Sequence, residues 1–121
     1  MGTMSTVTRP LLDLPLRTKG CCQPVTDLLP DAGATELAGV FTALGEPTRV
    51  QMIHILSEAT EPVCVCDFTA AFDLSQPTIS HHLAKLRDAG LIVSTRRGIW
   101  TFHQLNPAMS PAARQVLALL H

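Results

Sequence analysis

The apolar residues of this chain change their spacing at Gly90, and the change limits the folds that the chain can adopt. Between residues 35 and 90, apolar side chains recur every three or four positions, as on one face of a helix. Beyond Gly90 the sequence predicts two short strands, Leu91–Thr95 and Trp100–Leu105, with Arg96-Arg97-Gly98 near the turn. Several helices followed by one hairpin predict a mainly α fold with a β-hairpin wing.

Glycine, proline and capping residues divide the helical pattern into four helices before the hairpin and one after it. Gly45 ends the first helix, and Pro47 suits the first turn of the second, where its missing N–H lacks a partner in any case. A short third helix, Cys66–Phe72, precedes a fourth that Ser75 caps, and Ser110 caps the last. The faces expected to be apolar on the first, second, fourth and last helices are Leu37, Val40, Phe41 and Leu44; Met52, Ile55, Leu56 and Ala59; Ile79, Leu83 and Leu86; and Val116, Leu119 and Leu120.

Residues 1–33 differ from the rest of the chain because prolines and glycines interrupt them repeatedly. We therefore expect an arm over residues 1–33, which carries Cys21 and Cys22, and a winged helix-turn-helix domain over residues 34–121. No apolar run approaches the roughly 18 residues that cross a membrane. The N-terminus lacks the charged-then-apolar build of a secretory signal, so we expect a cytoplasmic protein that has no membrane partner.

The fourth helix presents hydrogen-bonding side chains on the face opposite its apolar stripe. With the short helix before it and the turn at Asp73-Leu74, it completes a helix-turn-helix, in which the second helix enters the major groove of DNA. Small polar groups can reach base edges there, and a cation can pair with phosphate. The candidate DNA-contacting residues of this helix are Gln76, Thr78, Ser80, His81, His82 and Lys85.

The predicted hairpin adds basic residues beside this helix, because Arg96 and Arg97 lie near its tip, where a wing would contact the DNA backbone. The whole chain has a formal charge of −1, which argues against nonspecific coating of nucleic acid, but residues 75–105 contain four basic residues and one acidic residue. A polar outer face alone is typical of any amphipathic surface helix. The basic hairpin favours the DNA-binding interpretation.

Four cysteines fall in two close pairs, Cys21 with Cys22 and Cys64 with Cys66. Adjacent cysteines rarely bridge each other, because disulfide geometry is specific. In a reducing cytoplasm, paired thiols indicate metal or redox chemistry more often than a structural disulfide. Cys64 and Cys66 stand at the start of the predicted third helix, where a helix N-terminus lowers a thiol pKa and favours the metal-binding thiolate. The alternative is that both are buried and act as small hydrophobic residues.

Three segments, Leu44–Arg49, Leu74–Leu83 and Leu86–Ile92, resemble the ArsR/SmtB family of bacterial repressors, and the resemblance covers about residues 35–120. The stretch around the fourth helix is the specific part. The resemblance implies a homodimer with the first and last helices at its interface. It also implies binding to an imperfect palindrome in the operator of a metal-resistance operon, and release of that DNA by an inducer.

Val63–Asp67 resembles the metal box of that family, but the arsenic-sensing pattern has a further cysteine at position 69, where this chain has Thr69. The arm cysteines therefore join the candidate metal ligands, which are Cys21, Cys22, Cys64 and Cys66. Three thiolates suit As(III) or Sb(III), whereas four suit Zn(II) or Cd(II). The third thiolate is Cys64 or Cys66, and the arm meets the box within one subunit or across the dimer.

Other ions and other functions are the alternatives. The cadmium- and lead-sensing branch of the family uses a similar arm-plus-box arrangement, but its arm cysteines are usually spaced, so arsenic ranks before Cd(II) and Pb(II). The family's zinc site on the last helix needs Asp and His ligands, which residues 110–120 lack. Thiol oxidation is another inducing signal for the same repressor. A small thiol oxidoreductase is the remaining class, but the pattern lacks its Cys-x-x-Cys motif and parallel sheet, so we expect no enzyme.

Overall fold

The computed structural model describes residues 25–120, and in that range the chain forms five α-helices and one small sheet. The elements are, in chain order, α1 Asp31–Ala43, α2 Pro47–Glu58, β1 Val63–Cys64, α3 Val65–Phe72, α4 Gln76–Asp88, β2 Ile92–Arg97, β3 Trp100–Leu105, α5 Pro111–Leu117 and a 3-10 turn, Ala118–Leu120. The prediction of a mainly α fold with a β-hairpin wing is confirmed. The arm cysteines Cys21 and Cys22 lie outside the described residues.

β2 and β3 form the antiparallel hairpin that the sequence predicts. A two-residue strand, β1, pairs with the free edge of β3 and makes β3 the central strand, in the order β1-β3-β2. In this pairing Val63 lies opposite His103 and Cys64 lies opposite Phe102. The sequence pattern does not predict β1, because two residues are too few to show a periodicity. The strand attaches Cys64 directly to the wing.

One contiguous core lies between the helices and the start of the hairpin. The apolar stripe predicted for α4 is confirmed, because Ile79, Leu83 and Leu86 are at most 1% exposed. The other elements contribute Val40, Ala43, Met52, Ile53, Leu56, Phe68, Leu91, Ile92, Met109, Ala113 and Leu117. This packing holds α4 by its apolar side and leaves its polar side accessible.

The predicted apolar faces of α1 and α2 are wrong at two positions. Phe41 is 56% exposed, and Ala59 is exposed just beyond the end of α2. Ile53 is fully buried instead. Helical spacing leaves two adjacent rows of side chains as candidates for the buried face of α2. The packing of α2 against α4 and β3 buries the row that contains Ile53. Helix α1 begins at Asp31, so Gly33 lies inside the helix.

The last helix and the hairpin also differ in detail from the sequence expectation. α5 ends at Leu117 and tightens into the 3-10 turn, so Leu117 is buried while Leu119, predicted on the apolar face, is 81% exposed. β2 continues through Arg97, and the turn consists of Gly98, whose φ is +63°, and Ile99. Glycine adopts this positive φ without the clash of a Cβ atom, which permits so short a loop. Within residues 25–120, no helix is long and apolar enough to cross a membrane.

Candidate nucleic-acid interface and thiol site

Local sequence fixes where α4 begins. Ser75 is its N-cap, and the Ser75 Oγ accepts a hydrogen bond from the backbone N–H of Thr78 at 3.3 Å. Pro77 stands in the first turn, where its missing N–H needs no partner. Asp73, with a φ of +55°, adopts the left-handed conformation that ends α3. These residues build the turn that places α4 as the second helix of a helix-turn-helix.

Five of the six side chains predicted to contact DNA from α4 are exposed, and these are Gln76, Thr78, Ser80, His81 and Lys85. Gln76 and Ser80 are one helical turn apart, so their side chains share one face. The hydroxyl of Thr78 accepts a hydrogen bond from the Ser75 Oγ at 2.9 Å, which orients it at the start of the helix. The set combines donors, acceptors and one cation, which are the groups that contact base edges and phosphates.

His82, the sixth residue of that set, faces inward. Its side chain is 12% exposed, and its Nδ1 lies 3.1 Å from a terminal guanidinium nitrogen of Arg49. Because a guanidinium only donates, Nδ1 is the acceptor, and Nε2 lies 3.8 Å from a carboxylate oxygen of Glu46. Arg49 also donates through Nε to the carbonyl oxygen of Ala43 at 2.6 Å. His82 thus links α4 to the corner between α1 and α2, and its contact with DNA stays a prediction.

Glu46 is the N-cap of α2, and its side chain accepts the backbone N–H of Thr48. Burial alone raises the pKa of Glu46, but the hydrogen bonds from Thr48 outweigh burial, so the pKa lies below its ordinary value. The carboxyl group is therefore ionised at neutral pH, which suits its position beside the ring of His82.

The two wing arginines are exposed but not equivalent. Cross-strand neighbours share a face of a sheet, so Arg96 shares the face of Thr101 and Arg97 shares the face of Trp100. The Nε of Arg96 also donates to the carbonyl oxygen of Gly98 at 3.2 Å. Because neighbouring side chains of a strand alternate, the two guanidinium groups lie on different sides of the hairpin, and their contact with a DNA backbone stays a prediction.

The predicted thiol site begins at the N-terminus of α3. Cys64 is buried and Cys66 is exposed, both are free thiols, and their Sγ atoms are 3.0 Å apart. A capping box fixes this turn, because the backbone N–H of Cys64 donates to the Asp67 carboxylate at 3.0 Å and the Cys64 side chain accepts the N–H of Asp67. Two thiolates on one tetrahedral ion, with bonds of ~2.3 Å, lie about 3.8 Å apart. The two sulfur atoms are therefore close enough to bind one ion after a small movement.

The pKa of Cys66 contradicts the expectation of a lowered thiol pKa at this helix N-terminus. It is raised, first by the hydrogen bond to Cys64, then by burial, and then by the negative charges of Cys64 and Asp67. A cation bound between the sulfur atoms would reverse this balance, because it favours both thiolates. Thr69 stands where the arsenic-sensing pattern has a third cysteine, and its Oγ1 donates to the carbonyl oxygen of Cys66 at 2.9 Å.

A groove of about 470 Å³ connects the thiols with the elements that are predicted to face DNA. Its lining includes Cys64 and Cys66 from the start of α3, Gln76 from the first turn of α4, and Trp100 from the wing. A ligand on the thiols would therefore touch both parts of the candidate DNA interface. Within residues 25–120, no cluster of three or more His, Cys, Asp or Glu side chains suits a metal ion. The described part of the chain thus supplies two thiols without a third ligand.

Sequence reasoning missed His103, which is 3% exposed on the central strand. Its Nδ1 lies 2.8 Å from the hydroxyl of Ser94, whereas its Nε2 has no hydrogen-bond partner. Burial lowers the pKa of His103, and the positive charge of Arg87 lowers it further. Side chains of a strand alternate between the two faces of the sheet, so the sequence offers His103 as one of the residues that could face inward. A short hairpin does not reveal which of its faces packs against the rest of the protein.

Comparisons with known proteins agree with this geometry. The family described as bacterial regulatory protein, arsR family, matches residues 46–94. The arsenic resistance transcriptional regulator ArsR1 of Pseudomonas putida is 44% identical over 68 residues, which cover 56% of this chain and 52% of that protein. The arsenical resistance operon repressor of Escherichia coli is 40% identical over 78 residues, which cover 64% of this chain and 66% of that protein. The matched region thus spans about half and about two thirds of these relatives.

A solved structure extends the likeness to the fold. The homodimeric winged helix-turn-helix DNA-binding domain from Mycobacterium bovis superposes with a TM-score of 0.61 at 22% sequence identity, and the match covers 78% of this chain and 86% of that one. At this identity the likeness shows the fold alone. It confirms that the helices and hairpin described above form a winged helix-turn-helix.

Proposed function

Because the chain belongs to the ArsR family of bacterial regulatory proteins, we propose that it is a transcriptional repressor that As(III) or Sb(III) releases from operator DNA. The observation that carries the proposal is the pair of free thiols, 3.0 Å apart, at the start of the helix that packs against α4. The two relatives named above are regulators of arsenic resistance. On this proposal the protein acts in the cytoplasm and catalyses no reaction.

The repressor binds its operator as a homodimer through the two copies of α4. The exposed face with Gln76, Ser80 and His81 supports contacts with base edges, and Lys85 supports a contact with phosphate. A two-fold dimer recognises an imperfect palindrome, because each copy of α4 reads one half-site. The arginines of the wing contact the backbone and position the dimer without reading sequence.

The dimer interface involves α1 and the C-terminal segment. These two elements pack on each other, and they leave Phe41 56% exposed and Leu119 81% exposed. Exposed large apolar residues of this kind are typical of a surface that a partner covers. The homodimeric domain with the same fold supports the same assembly here. Light scattering that shows a monomer at micromolar concentration, with DNA binding intact, would refute it.

As(III) binds three thiolates, two from Cys21 and Cys22 in the arm and one from the pair at the start of α3. The two described thiols lack a third ligand within residues 25–120, which supports a contribution from the arm. Three sulfur ligands suit pyramidal As(III) or Sb(III), whereas all four would suit Zn(II) or Cd(II). The choice of ion therefore reports how many of the four cysteines bind.

Release follows from thermodynamic linkage between the two sites. The ion ties the arm to α3, and α3 packs against α4, so the ion biases the placement of the two copies of α4. For release, the ion must bind the free dimer more tightly than the DNA-bound dimer. A coupling free energy of about 3 kcal/mol weakens operator affinity roughly 150-fold, which is enough to empty the site.

The test is a parallel titration of the operator complex with As(III), Sb(III), Cd(II), Pb(II), Zn(II) and hydrogen peroxide. We expect release by As(III) and Sb(III) at the lowest concentrations. Release by Cd(II) or Pb(II) at lower concentrations than As(III) would identify a cadmium- or lead-sensing repressor and refute the metalloid proposal. Release by peroxide alone would identify a thiol redox sensor and refute the metalloid proposal.

A further inference from the structure

Arg49 joins two helices that pack mainly on different neighbours. Its Nε donates to the carbonyl oxygen of Ala43, the last residue of α1, at 2.6 Å, and a terminal guanidinium nitrogen donates to Nδ1 of His82 on α4 at 3.1 Å. α1 packs on α5, whereas α4 packs on α2, α3 and β2. We propose that Arg49 is a positioning residue for operator binding, which fixes α4 relative to α1 and thereby sets the separation of the two α4 copies in the dimer. This proposal rests on the proposed function, since it assumes a homodimer that binds DNA through α4.

The end of α1 supplies the first acceptor. The last four carbonyl groups of a helix have no N–H partner inside it, and the carbonyl of Ala43 is one of them. A guanidinium at this end completes a hydrogen bond and brings the positive charge that a helix C-terminus favours. Ala43 is buried and Arg49 is half-buried, so water competes poorly for the same oxygen. The contact therefore anchors the guanidinium to the end of α1.

Both contacts come from one planar group, which couples the positions of their acceptors. The nitrogen atoms of a guanidinium form a rigid fork, so the oxygen of Ala43 and the ring of His82 are held in a fixed relation. A lysine has one nitrogen on a flexible chain and cannot hold two acceptors in this way. The link between α1 and α4 is thus a geometric constraint that charge alone does not replace.

Glu46 approaches the ring of His82 at its other nitrogen. Nε2 lies 3.8 Å from a carboxylate oxygen of Glu46, which is itself held by the backbone N–H of Thr48. Because Nδ1 accepts from Arg49, the ring carries its proton on Nε2, toward the carboxylate. Both sides of the ring are therefore defined by groups at the corner between α1 and α2.

The spacing of DNA half-sites makes such a constraint useful. In helix-turn-helix dimers the two recognition helices read half-sites one helical turn apart, roughly 34–36 Å. Inserting one base pair between the half-sites moves them by about 3.4 Å and rotates them by about 35°. A dimer whose α4 is fixed to the interface helix α1 rejects such a site. A dimer whose α4 can shift accepts it more readily.

The first experiment measures this discrimination with full-length protein. Operator DNA is selected from a random pool with the wild-type protein, and one base pair is then inserted between its half-sites. Arg49→Lys should lower the ratio of affinities for the selected over the inserted DNA about tenfold, the size of one charge-assisted hydrogen bond. Arg49→Ala should lower the ratio too and leave the salt dependence of binding unchanged, because the proposal gives Arg49 no contact with phosphate.

Variants at two other positions separate positioning from stability. Ile53→Val is the matched control, because Ile53 is fully buried on the same helix and the change removes one methyl group away from the corner. It should lower the thermal midpoint and leave the spacing ratio unchanged. His82→Ala should lower the ratio as Arg49→Lys does. His82→Gln, whose amide oxygen can accept from Arg49, should restore part of it.

The second experiment needs no DNA. Two-bond ¹H–¹⁵N NMR spectra in mildly alkaline buffer report which ring nitrogen of a histidine carries the proton, and the spectrum of His82→Gln assigns the signals of His82. We expect the proton on Nε2 in the wild-type protein. A proton on Nδ1 would overturn the proposal, whether or not the protein selects an operator, because Nδ1 could not then accept from Arg49.

Two results of the DNA experiment would also overturn it. One is a spacing ratio that Arg49→Lys lowers no more than Ile53→Val does. The other is a salt dependence that Arg49→Ala reduces by about one phosphate contact, which would place Arg49 on the DNA backbone. A random pool from which the wild-type protein enriches no sequence would instead refute the proposed function. A wild-type protein that As(III) fails to release from the selected DNA would refute the metalloid response and leave the spacing ratio interpretable.

Discussion

The side of α4 that is proposed to face DNA and the thiol pair at the start of α3 differ in how much of each site one stretch of chain supplies. α4 carries its N-cap, its buried stripe and its five exposed polar side chains within residues 75–88. The thiol site has one close pair on α3, and its other candidate ligands lie in the arm, with 41 residues between Cys22 and Cys64. On the proposed function, base recognition therefore depends on one helix, whereas the response to an inducer joins distant parts of the chain.

This difference implies that the two functions can be separated by mutation. No thiol belongs to the exposed face of α4, so cysteine variants should retain operator binding. The side chains on that face do not include a metal ligand of the proposed set, so their variants should retain As(III) binding. The groove that Cys66 shares with Gln76 is the place where the two sites meet.

The largest expected effect comes from removing the arm thiols. Changing Cys21 and Cys22 to Ser should abolish the roughly 150-fold weakening of operator affinity by As(III), because one thiolate pair cannot complete the three-sulfur site. Operator affinity without As(III) should be unchanged. Gel-shift titrations with and without As(III) measure both. A double variant that releases DNA at wild-type As(III) concentrations would contradict the arm-plus-box site.

Gln76→Ala and Ser80→Ala come next, because each removes a side chain from the face that we propose reads bases. We expect each to weaken operator binding by about 1–3 kcal/mol while As(III) stoichiometry stays the same. Gln51→Ala is the matched control, since Gln51 is also exposed but lies on α2. Equal affinities for the Gln76 and Gln51 variants would remove Gln76 from the interface.

His82 and His81 are neighbours in sequence and should behave differently. His82→Ala leaves the donor of Arg49 without its acceptor in a partly buried place, so the free energy of unfolding should fall by about 1–3 kcal/mol. His81→Ala should change stability by less than about 0.5 kcal/mol, since His81 is exposed. Urea denaturation measures both. His82→Gln, whose amide oxygen can accept from Arg49, should recover part of the loss.

The wing arginines should have a smaller effect that does not depend on sequence. Arg96→Ala or Arg97→Ala should weaken operator and random DNA alike and reduce the salt dependence by about one phosphate contact. Because the two side chains lie on opposite faces of the hairpin, the two variants should weaken binding to different extents. Binding isotherms for operator and random DNA at several salt concentrations measure the affinity and the salt dependence of each variant. A variant that loses operator binding but keeps random DNA binding would place that arginine on a base.

The smallest effect concerns pH. The pKa of His103 is lowered in the folded protein. At a pH below the ordinary histidine pKa of about 6.5, the unfolded chain therefore binds more protons than the folded protein does. Stability should therefore fall as the pH falls from about 6.5 toward the lower folded-state pKa. His103→Gln keeps a polar partner for Ser94 but cannot take up this proton, so its stability should depend less on pH in that window. Identical pH profiles for the two proteins would exclude His103 as the cause.

The sequence alone predicted what depends on local pattern. The stripe of Ile79, Leu83 and Leu86 repeats at helical spacing between a capping serine and a glycine, so the position of α4 follows from neighbours in the chain. The two-residue strand β1 has no such pattern, and its pairing with β3 depends on residues about 40 positions away. The inward position of His82 depends on Arg49, 33 residues earlier, which no periodicity reveals.

The same reasoning explains the raised pKa of Cys66. A helix N-terminus lowers a thiol pKa in isolation, but here Cys66 donates its S–H to the sulfur of Cys64 3.0 Å away, which favours the protonated thiol, and only the folded geometry gives that distance. The sequence thus predicted which cysteines form the thiol pair at the start of α3, but it did not predict the direction in which the pKa of Cys66 shifts. Phe41 shows the same limit for packing, because its spacing predicted burial and the fold leaves it 56% exposed.

The central claim is that metalloid binding and DNA binding are linked, and the affinity of As(III) for the free and the operator-bound dimer tests it most directly. Linkage requires that DNA weaken As(III) binding by the same factor by which As(III) weakens DNA binding. Equilibrium dialysis of As(III) against wild-type protein, with and without saturating operator, measures that factor. The account predicts As(III) affinity roughly 150-fold lower for the operator-bound dimer. Equal affinities in the two states would contradict it.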